Sequence, residues 1–290
     1  MGWWWFIGGG RSKIFGMKKH ETKMRITWDV LRQMKRAGEP IAMLTCYDFP
    51  TAGILALAGV HVLLVGDSAA NTVLGLGSTR EIDPEFLLTI TEAVRRGAEE
   101  VFVLADMPFK AMESVELAVV MGKRFMLEAR ADGVKVECTG AEVEYVKAMV
   151  AAGVPVCAHL GLLPQRVTEA GGYKAQGRTA EEAERIIKDA ELMVEAGAEM
   201  LLLEAVPDEV SAAVQKRVGG VPVIGCGGGP SCDGHVLVLQ DVLGYNVKPA
   251  RFVEVLADVP GVVMQAAFEY VQAVGSRTYP AARHLYRMKK

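Results

Sequence analysis

The chain lacks the cysteine pattern of a disulfide-stapled secreted domain. Its five cysteines, Cys46, Cys138, Cys157, Cys226 and Cys232, are odd in number, widely spread and free of any Cys-x-x-Cys pair. With no secretory signal ahead of them they are expected to be reduced thiols in a cytoplasmic protein. The chain also lacks any apolar run near the ~20 residues that a membrane-spanning helix needs. Its opening is apolar only from Trp3 to Ile7, with no basic segment before it, too little for a signal-peptide core. Phe6 stands where a myristoylation site would carry Ser or Thr. Charge of one sign is missing too: 32 Lys and Arg meet 35 Asp and Glu, a net charge of −3. That balance exerts no long-range pull toward nucleic acid or an anionic membrane. Aromatics are few at 7%, yet 51% of the residues are apolar, which excludes a disordered or low-complexity chain.

What is present, from about residue 40, is a recurring unit: a short apolar run, a polar residue at its end, then a helical stretch. The spacing predicts strands at Ile41–Asp48, His61–Asp67, Val101–Asp106, Gly133–Glu137, Val154–His159, Met200–Glu204, Val221–Cys226 and His235–Asp241. Continuous runs such as Val62 to Val65 and Leu201 to Leu203 suit strands buried on both faces, hence a parallel sheet. Helices are predicted at Pro84–Arg96, Val115–Ala129, Ala141–Ala152, Ala180–Ala196 and Asp208–Val218, several closing on a glycine such as Gly97, Gly153 or Gly197. Eight such units predict a (β/α)8 TIM barrel over residues 25–275, close to the ~250 residues usual for that fold. Residues 1–24 read as a flexible leader, with Met17 and Met24 both plausible starts, and 276–290 as a tail. The open doubly wound sheet is disfavoured, because no glycine cluster follows the first strand.

Catalytic groups of a barrel gather at the C-terminal ends of its strands. There the chain carries Asp48, Asp67-Ser68, Asp106, Glu137, His159, Glu204 and Cys226. Asp67, Asp106 and Glu137 end three consecutive strands, so they are expected to meet. Clustered carboxylates repel unless a cation lies between them or one is protonated. Oxygen-only ligands favour Mg²⁺ over zinc. Lys135, two residues before Glu137, shares its face and can neutralise carboxylates or hold a substrate carboxylate. Glu204 follows three leucines, a setting that raises a carboxyl pKa and suits a general base. The glycine-rich run from Gly225 to Pro230 is a weak candidate for a phosphate cradle. The long loop from Gly171 to Arg178 is a candidate cover over the site.

These segments, in this order, resemble ketopantoate hydroxymethyltransferase. The resemblance is carried by Leu-Thr-Cys-Tyr-Asp (44–48), Leu-Val-Gly-Asp-Ser (64–68), Ala-Val-Arg-Arg-Gly-Ala (93–98) and Ala-Asp-Met-Pro-Phe (105–109). Val-Lys-Val-Glu (134–137), His-Leu-Gly-Leu (159–162), Gly-Gly-Tyr-Lys-Ala-Gln-Gly-Arg (171–178) and Leu-Leu-Glu-Ala-Val-Pro (202–207) extend it. It implies a barrel of the phosphoenolpyruvate/pyruvate-type superfamily, a Mg²⁺ site, and one-carbon transfer from 5,10-methylenetetrahydrofolate to 3-methyl-2-oxobutanoate. The product would be 2-dehydropantoate, on the route to pantothenate and coenzyme A. The positions matching Asp67, Asp106 and Glu137 would hold the metal, directly or through water. Ser68, Asp106 and Lys135 would contact the 2-oxo acid, His159 would line the site, and Glu204 would be the base. It also implies a homo-oligomer, by analogy a homodecamer, and partners limited to small molecules.

The sequence departs from the family pattern at Ala69-Ala70-Asn71, at Cys138-Thr139 after Glu137, and at His235 after Asp233-Gly234. These positions bear on substrate preference. Two rivals stand beside the transferase. One is a Mg²⁺-dependent carbon–carbon lyase of the same superfamily, whose Cys-Gly-His loop is absent here. The other is an inactive paralogue serving as a binding or assembly protein.

Overall fold

In the computed structural model, which describes residues 25–167 and 172–288, eight parallel strands close into a barrel in sequence order. The expected leader, and Gly171 of the expected cover, lie outside the described residues. The strands are β1 (Ile41–Thr45), β2 (Val62–Val65), β3 (Phe102–Asp106), β4 (Gly133–Glu137), β5 (Val156–Gly161), β6 (Met200–Glu204), β7 (Val223–Cys226) and β8 (Gly234–Leu237). The predicted barrel is thus the observed one, with β4 and β6 bounded as expected. β1 is shorter than predicted because Asp48 does not end a strand. Its carboxylate accepts the Thr51 amide at 2.8 Å and so caps the next helix. Strand eight likewise stops at Leu237, and Asp241 falls in a short helix.

The helices are α1 (Trp28–Ala37), α2 (Phe49–Ala58), α3 (Ala69–Thr72), α4 (Pro84–Gly97), α5 (Val115–Leu127), α6 (Val143–Ala151), α7 (Ala180–Glu195), α8 (Asp208–Val218), α9 (Leu239–Val242) and α10 (Val259–Gly275). Small polar residues fix where many begin. Thr27, Asp48, Asp83, Ser114 and Thr179 each accept an amide of the first turn, and Thr179 forms a capping box with Glu182. Gly153 and Gly197 have φ of 81° and 99°, as a left-handed helix end requires. Gly97 serves a different purpose. It is the last residue of α4, and a Cβ there would stand 2.3 Å from the Phe49 carbonyl oxygen, so α2 and α4 approach too closely for any side chain.

Strand alternation divides the core in two. Ile41, Met43, Val62, Leu64, Phe102, Leu104, Cys157, Met200, Leu202, Ile224 and Val236 fill the barrel interior. The alternate residues, among them Val134 and Val136, pack outward onto the helices. α1 plugs the N-terminal end of the barrel: Leu31 and Met34 join the interior, and Trp28 meets Phe102 edge-on at 4.7 Å between ring centres.

Two aspartates pin this lower end. Asp132 exchanges backbone hydrogen bonds with Val103, its Oδ2 accepting the Val103 amide at 2.8 Å. Asp233 does the same with Val223 at 2.7 Å and also takes the Lys35 ammonium at 2.9 Å. Arg95, buried in α4, ion-pairs with Asp132 and donates to the carbonyls of Ala98, Glu99, Val101 and Arg130. The outer ring is incomplete. Helices pack in sequence from α2 and α4 through to α8, but no helix follows β7 and only the four-residue α9 directly follows β8. Ala42 of β1 and His235 of β8 are exposed on that flank. α10 was expected inside the barrel span, yet none of its residues is buried.

Arg95→Ala removes the buried partner of Asp132, leaving that carboxylate only the exposed Arg25, and the donor to four carbonyls. Urea unfolding is expected to show a loss of about 3–5 kcal/mol, the range for breaking a buried ion pair. Arg96→Ala, at the exposed pair with Glu92, is expected to lose under ~1 kcal/mol. Equal losses for both would remove Arg95 as the clamp.

Candidate active site

The C-terminal ends of β3 to β6 aim one chain of ionisable groups into the barrel mouth. Register sets their order: Asp106 lies opposite Lys135, Glu137 opposite His159, and Gly161 opposite Glu204. Lys135 Nζ stands 3.2 Å from Asp106 Oδ1 and 3.1 Å from His159 Nδ1. His159 Nε2 in turn stands 3.2 Å from Glu204 Oε2. Asp67, two residues past β2, joins through its backbone amide, which donates to Asp106 Oδ2 at 3.0 Å. Ser68 is tied to the buried Tyr47, their hydroxyl oxygens 2.7 Å apart. Thus Asp67, Ser68, Asp106, Lys135, Glu137, His159 and Glu204, all expected at the site, come to one end of the barrel. Lys135 and Glu137 face inward as their spacing requires.

Burial governs how these groups ionise. It pushes Asp106 up to about 7, Lys135 opposing and Asp67 adding to the rise. It pushes Glu204 up to about 7 as well, again against the pull of Lys135. Burial, then Asp67, hold Glu137 well above the carboxylate range, while Lys135 and the Gln165 amide work the other way. Burial alone would lower Lys135, but the charges of Asp106, Asp67, Glu137 and Glu204 outweigh it and keep the ammonium charged. Burial and the neighbouring Lys135 hold His159 well below its ordinary value, so the ring is neutral. An ammonium only donates, so His159 Nδ1 accepts from it and Nε2 carries the proton toward Glu204.

Sequence reasoning missed two residues. Gln165 sits in the 3₁₀ turn Pro164–Arg166 after β5 and is 6% exposed. Its Nε2 donates to Asp67 Oδ2 at 2.8 Å and to the Met107 carbonyl at 3.1 Å. Its backbone amide faces both Glu137 oxygens at 3.1 and 3.2 Å. Tyr47, whose hydroxyl burial pushes up to about 12, was quoted only as part of a motif. Nothing in periodicity marks either one, because both act from positions past a strand end.

The family departures turn away from this cluster. Ala69 and Ala70 are fully buried in α3, and Asn71 donates to the Leu76 carbonyl. Cys138 is buried on the outward face, and Thr139 forms a capping box with Glu142. His235 is exposed on the barrel's outer side. The candidate phosphate cradle is corrected: the Ser231 amide and hydroxyl in that loop donate to Asp208, whose carboxylate occupies the place an anion would take. Residues 172–178 cross the end of β6, Gln176 donating to the Ala205 carbonyl at 2.9 Å. A cavity of about 440 Å³ opens between Cys138, Leu162, Arg166, Gln176, Arg185 and Asp189, outside the barrel wall. Asp189 there accepts the Gly140 amide and Arg166 pairs with Glu142, so it is not the chemical centre.

The donor set bears on a metal. Among the described residues no three His, Cys, Asp or Glu side chains converge into a group that could hold an ion. Asp67 and Asp106 are nevertheless joined side by side, and Asp106 Oδ1 is a buried oxygen with no aligned hydrogen bond, Lys135 lying off line. Two oxygen ligands of this kind fit Mg²⁺, which is usually bound by one or two carboxylates with water and substrate oxygens completing its shell. Glu137 ends the neighbouring strand, where its two oxygens face the Gln165 backbone amide.

The family model for ketopantoate hydroxymethyltransferase matches residues 25–282. The chain is 45% identical over 260 residues to the 3-methyl-2-oxobutanoate hydroxymethyltransferase of Geobacillus sp. (strain WCH70), covering 89% of this chain and 93% of that protein. It is 44% identical over 267 residues to the enzyme of the same name from Roseiflexus sp. (strain RS-1), covering 91% and 95%. Among solved structures, 2,3-dimethylmalate lyase, a member of the PEP mutase/isocitrate lyase superfamily, superposes with a TM-score of 0.60 at 15% identity over 87% of this chain and 89% of that one. Phosphonopyruvate hydrolase gives 0.58 at 14%, over 88% and 99%. At such identities these structures speak for the barrel alone.

The His159 assignment has a direct check. In ¹⁵N NMR its ring is expected to stay neutral, protonated on Nε2, from about pH 5 to 8, where an ordinary histidine titrates near ~6.5. A titration step in that window would return His159 to an ordinary solvated role.

Proposed function

The chain belongs to the ketopantoate hydroxymethyltransferase family, and from that premise we propose that it transfers a one-carbon unit from 5,10-methylenetetrahydrofolate to 3-methyl-2-oxobutanoate, yielding 2-dehydropantoate for pantothenate and coenzyme A synthesis. The observation that carries the reading is the line Asp106–Lys135–His159–Glu204, which sets a carboxylate of pKa about 7 beside a buried ammonium. A base that must strip a carbon-bound proton at neutral pH works best with a pKa near the working pH.

The difficulty of the reaction is the C3 carbanion, which is stable only when its charge moves to the ketone oxygen as an enolate. Lys135 places a fixed positive charge where that charge and the substrate carboxylate would lie. Glu204 takes the C3 proton. His159 directs its Nε2 at Glu204 from 3.2 Å, close enough to take up a hydrogen bond as the carboxylate moves to the substrate. Ser68, oriented by Tyr47, offers a hydroxyl to the substrate carboxylate. Mg²⁺ held by Asp67 and Asp106, with Glu137 adding negative charge nearby, would supply Lewis acidity at the keto oxygen. The enolate carbon then bonds to the folate-borne methylene, and water supplies the hydroxyl as tetrahydrofolate leaves. The family's chemistry and the intact cluster favour this over a lyase or an inert paralogue.

We place the protein in the cytoplasm. All five cysteines are free thiols, in keeping with a reducing compartment, and among the described residues no helix is long and apolar enough to cross a membrane. We further propose a homo-oligomer, by analogy a homodecamer. α10 exposes Val262, Val263, Met264, Phe268, Tyr270, Val271 and Val274, and the flank over β8 and β1 lacks a helix. An apolar stripe of that length is a liability in a monomer.

Two experiments test these readings. The first follows deuterium exchange at C3 of 3-methyl-2-oxobutanoate with Mg²⁺ and no folate. Wild type is expected to exchange, with a rate that rises with pH through about 7 as Glu204 loses its proton. Of the groups facing it, Lys135 stays charged, His159 stays neutral, and burial holds the Cys226 thiol well above its ordinary range, so none of the three changes charge in this window. Glu204→Gln should abolish exchange and keep metal binding, whereas Asp106→Ala should lose both. Exchange at the wild-type rate in Glu204→Gln removes the base assignment. The second measures mass in solution: Met264→Glu with Phe268→Glu should lower it to that of a smaller species, and an unchanged mass would remove α10 from the interface.

A further inference from the structure

We propose that Gln165 is a positioning residue for the divalent cation, fixing the rotation of Asp67 so that its other carboxylate oxygen is left for the ion beside Asp106. The proposal rests on the reading of Asp67 and Asp106 as cation ligands. Gln165 is buried, and every donor it has is spent on that neighbourhood. Nε2 donates to Asp67 Oδ2 at 2.8 Å and to the Met107 carbonyl at 3.1 Å, while the backbone amide meets Glu137 Oε1 and Oε2 at 3.1 and 3.2 Å.

A residue on the turn after β5 therefore ties together groups from the ends of β2, β3 and β4. The amide orientation is dictated by its partners. Reversed, Gln165 Oε1 would confront a carboxylate oxygen and a carbonyl oxygen, acceptor against acceptor. With Oδ2 of Asp67 engaged, the rotation of that carboxylate is set, and its other oxygen is left for a ligand. Only a neutral double donor does this. A glutamate at 165 would add a fourth buried carboxylate to Asp67, Asp106 and Glu137, and an apolar residue would leave Asp67 free to turn. Hydrogen bonds to the ligands of a metal commonly decide its affinity.

The test uses the full-length protein and Mn²⁺ as the probe, its binding followed by the loss of the free-ion electron paramagnetic resonance signal. Gln165→Met keeps the side-chain length and the backbone amide to Glu137 but removes both side-chain donors. Relative to wild type it is expected to bind Mn²⁺ roughly 10- to 100-fold more weakly, and to melt only a few degrees lower as two buried acceptors lose their donor. Activity lost at low Mg²⁺ should return as Mg²⁺ is raised, a rescue that a purely structural defect would not show. Mn²⁺ affinity equal to wild type in Gln165→Met overturns the proposal while leaving the cation reading intact. Absence of binding in wild type overturns both. Should Gln165→Met fail to fold, Gln165→Asn, one methylene too short to reach Asp67, carries the same expectation and the same refutation.

Discussion

One desolvated ammonium surrounded by four carboxylates is the constraint on which the rest of this structure turns. Lys135 cannot balance Asp67, Asp106, Glu137 and Glu204 together, and burial removes the water that would otherwise screen them. The protein meets the imbalance by letting protons stay on some of these groups at neutral pH. Asp106 and Glu204 both sit near 7, and Glu137 is raised too. A cation bound at Asp106 would release the proton held there by supplying the missing positive charge. An unliganded site of this kind is therefore poised: the same imbalance that makes it unfavourable alone would favour a cation, and the cation together with Lys135 would supply the positive charge a 2-oxo acid needs.

Much of this was legible in the sequence because a parallel barrel writes its functional groups at regular places. The apolar run followed by a polar residue located Asp106, Glu137, His159 and Glu204, and the two-residue spacing of Lys135 and Glu137 placed both inward. Boundaries were less secure where a strand-end acid had a local task. Asp48 reads like Asp67 in sequence, yet it caps α2, and only three-dimensional packing separates the two. Gln165 was invisible for a related reason. Its importance arises from where a short turn carries it, across three strands, and a lone glutamine in a loop leaves no periodic trace. α2 and α10 escaped notice because uniformly apolar helices mimic strands, and α1 because it lies ahead of the first strand, outside the repeating unit.

The two ends of the barrel divide the labour. At the lower end Asp132-Gly133 and Asp233-Gly234 open β4 and β8, half a barrel apart, and each aspartate clasps the strand before it while a basic side chain neutralises it. Both aspartates there have a fixed partner. At the upper end charges outnumber their partners, and Asp106 Oδ1 and His159 Nε2 lack an aligned hydrogen bond. Buried groups of that kind lower stability by a few kcal/mol each in general, so they persist only where surrounding structure holds them.

That surrounding structure is the barrel interior between the two ends. Leu64, Leu104, Leu202 and Ile224 form an apolar plug beneath the ionisable cluster, which keeps water from reaching the lower face of Asp106, Lys135 and His159. The plug does more than add stability. It keeps the local dielectric below that of water, so the Lys135 charge acts more strongly than a solvated ammonium would on whatever negative charge develops at the mouth. A polar substitution in this layer would leave every proposed catalytic group in place and still weaken the site, because water drawn in beneath the cluster would return Glu204 and Asp106 toward ordinary carboxylates. The chemistry at the strand ends is in this sense a property of the leucines below them.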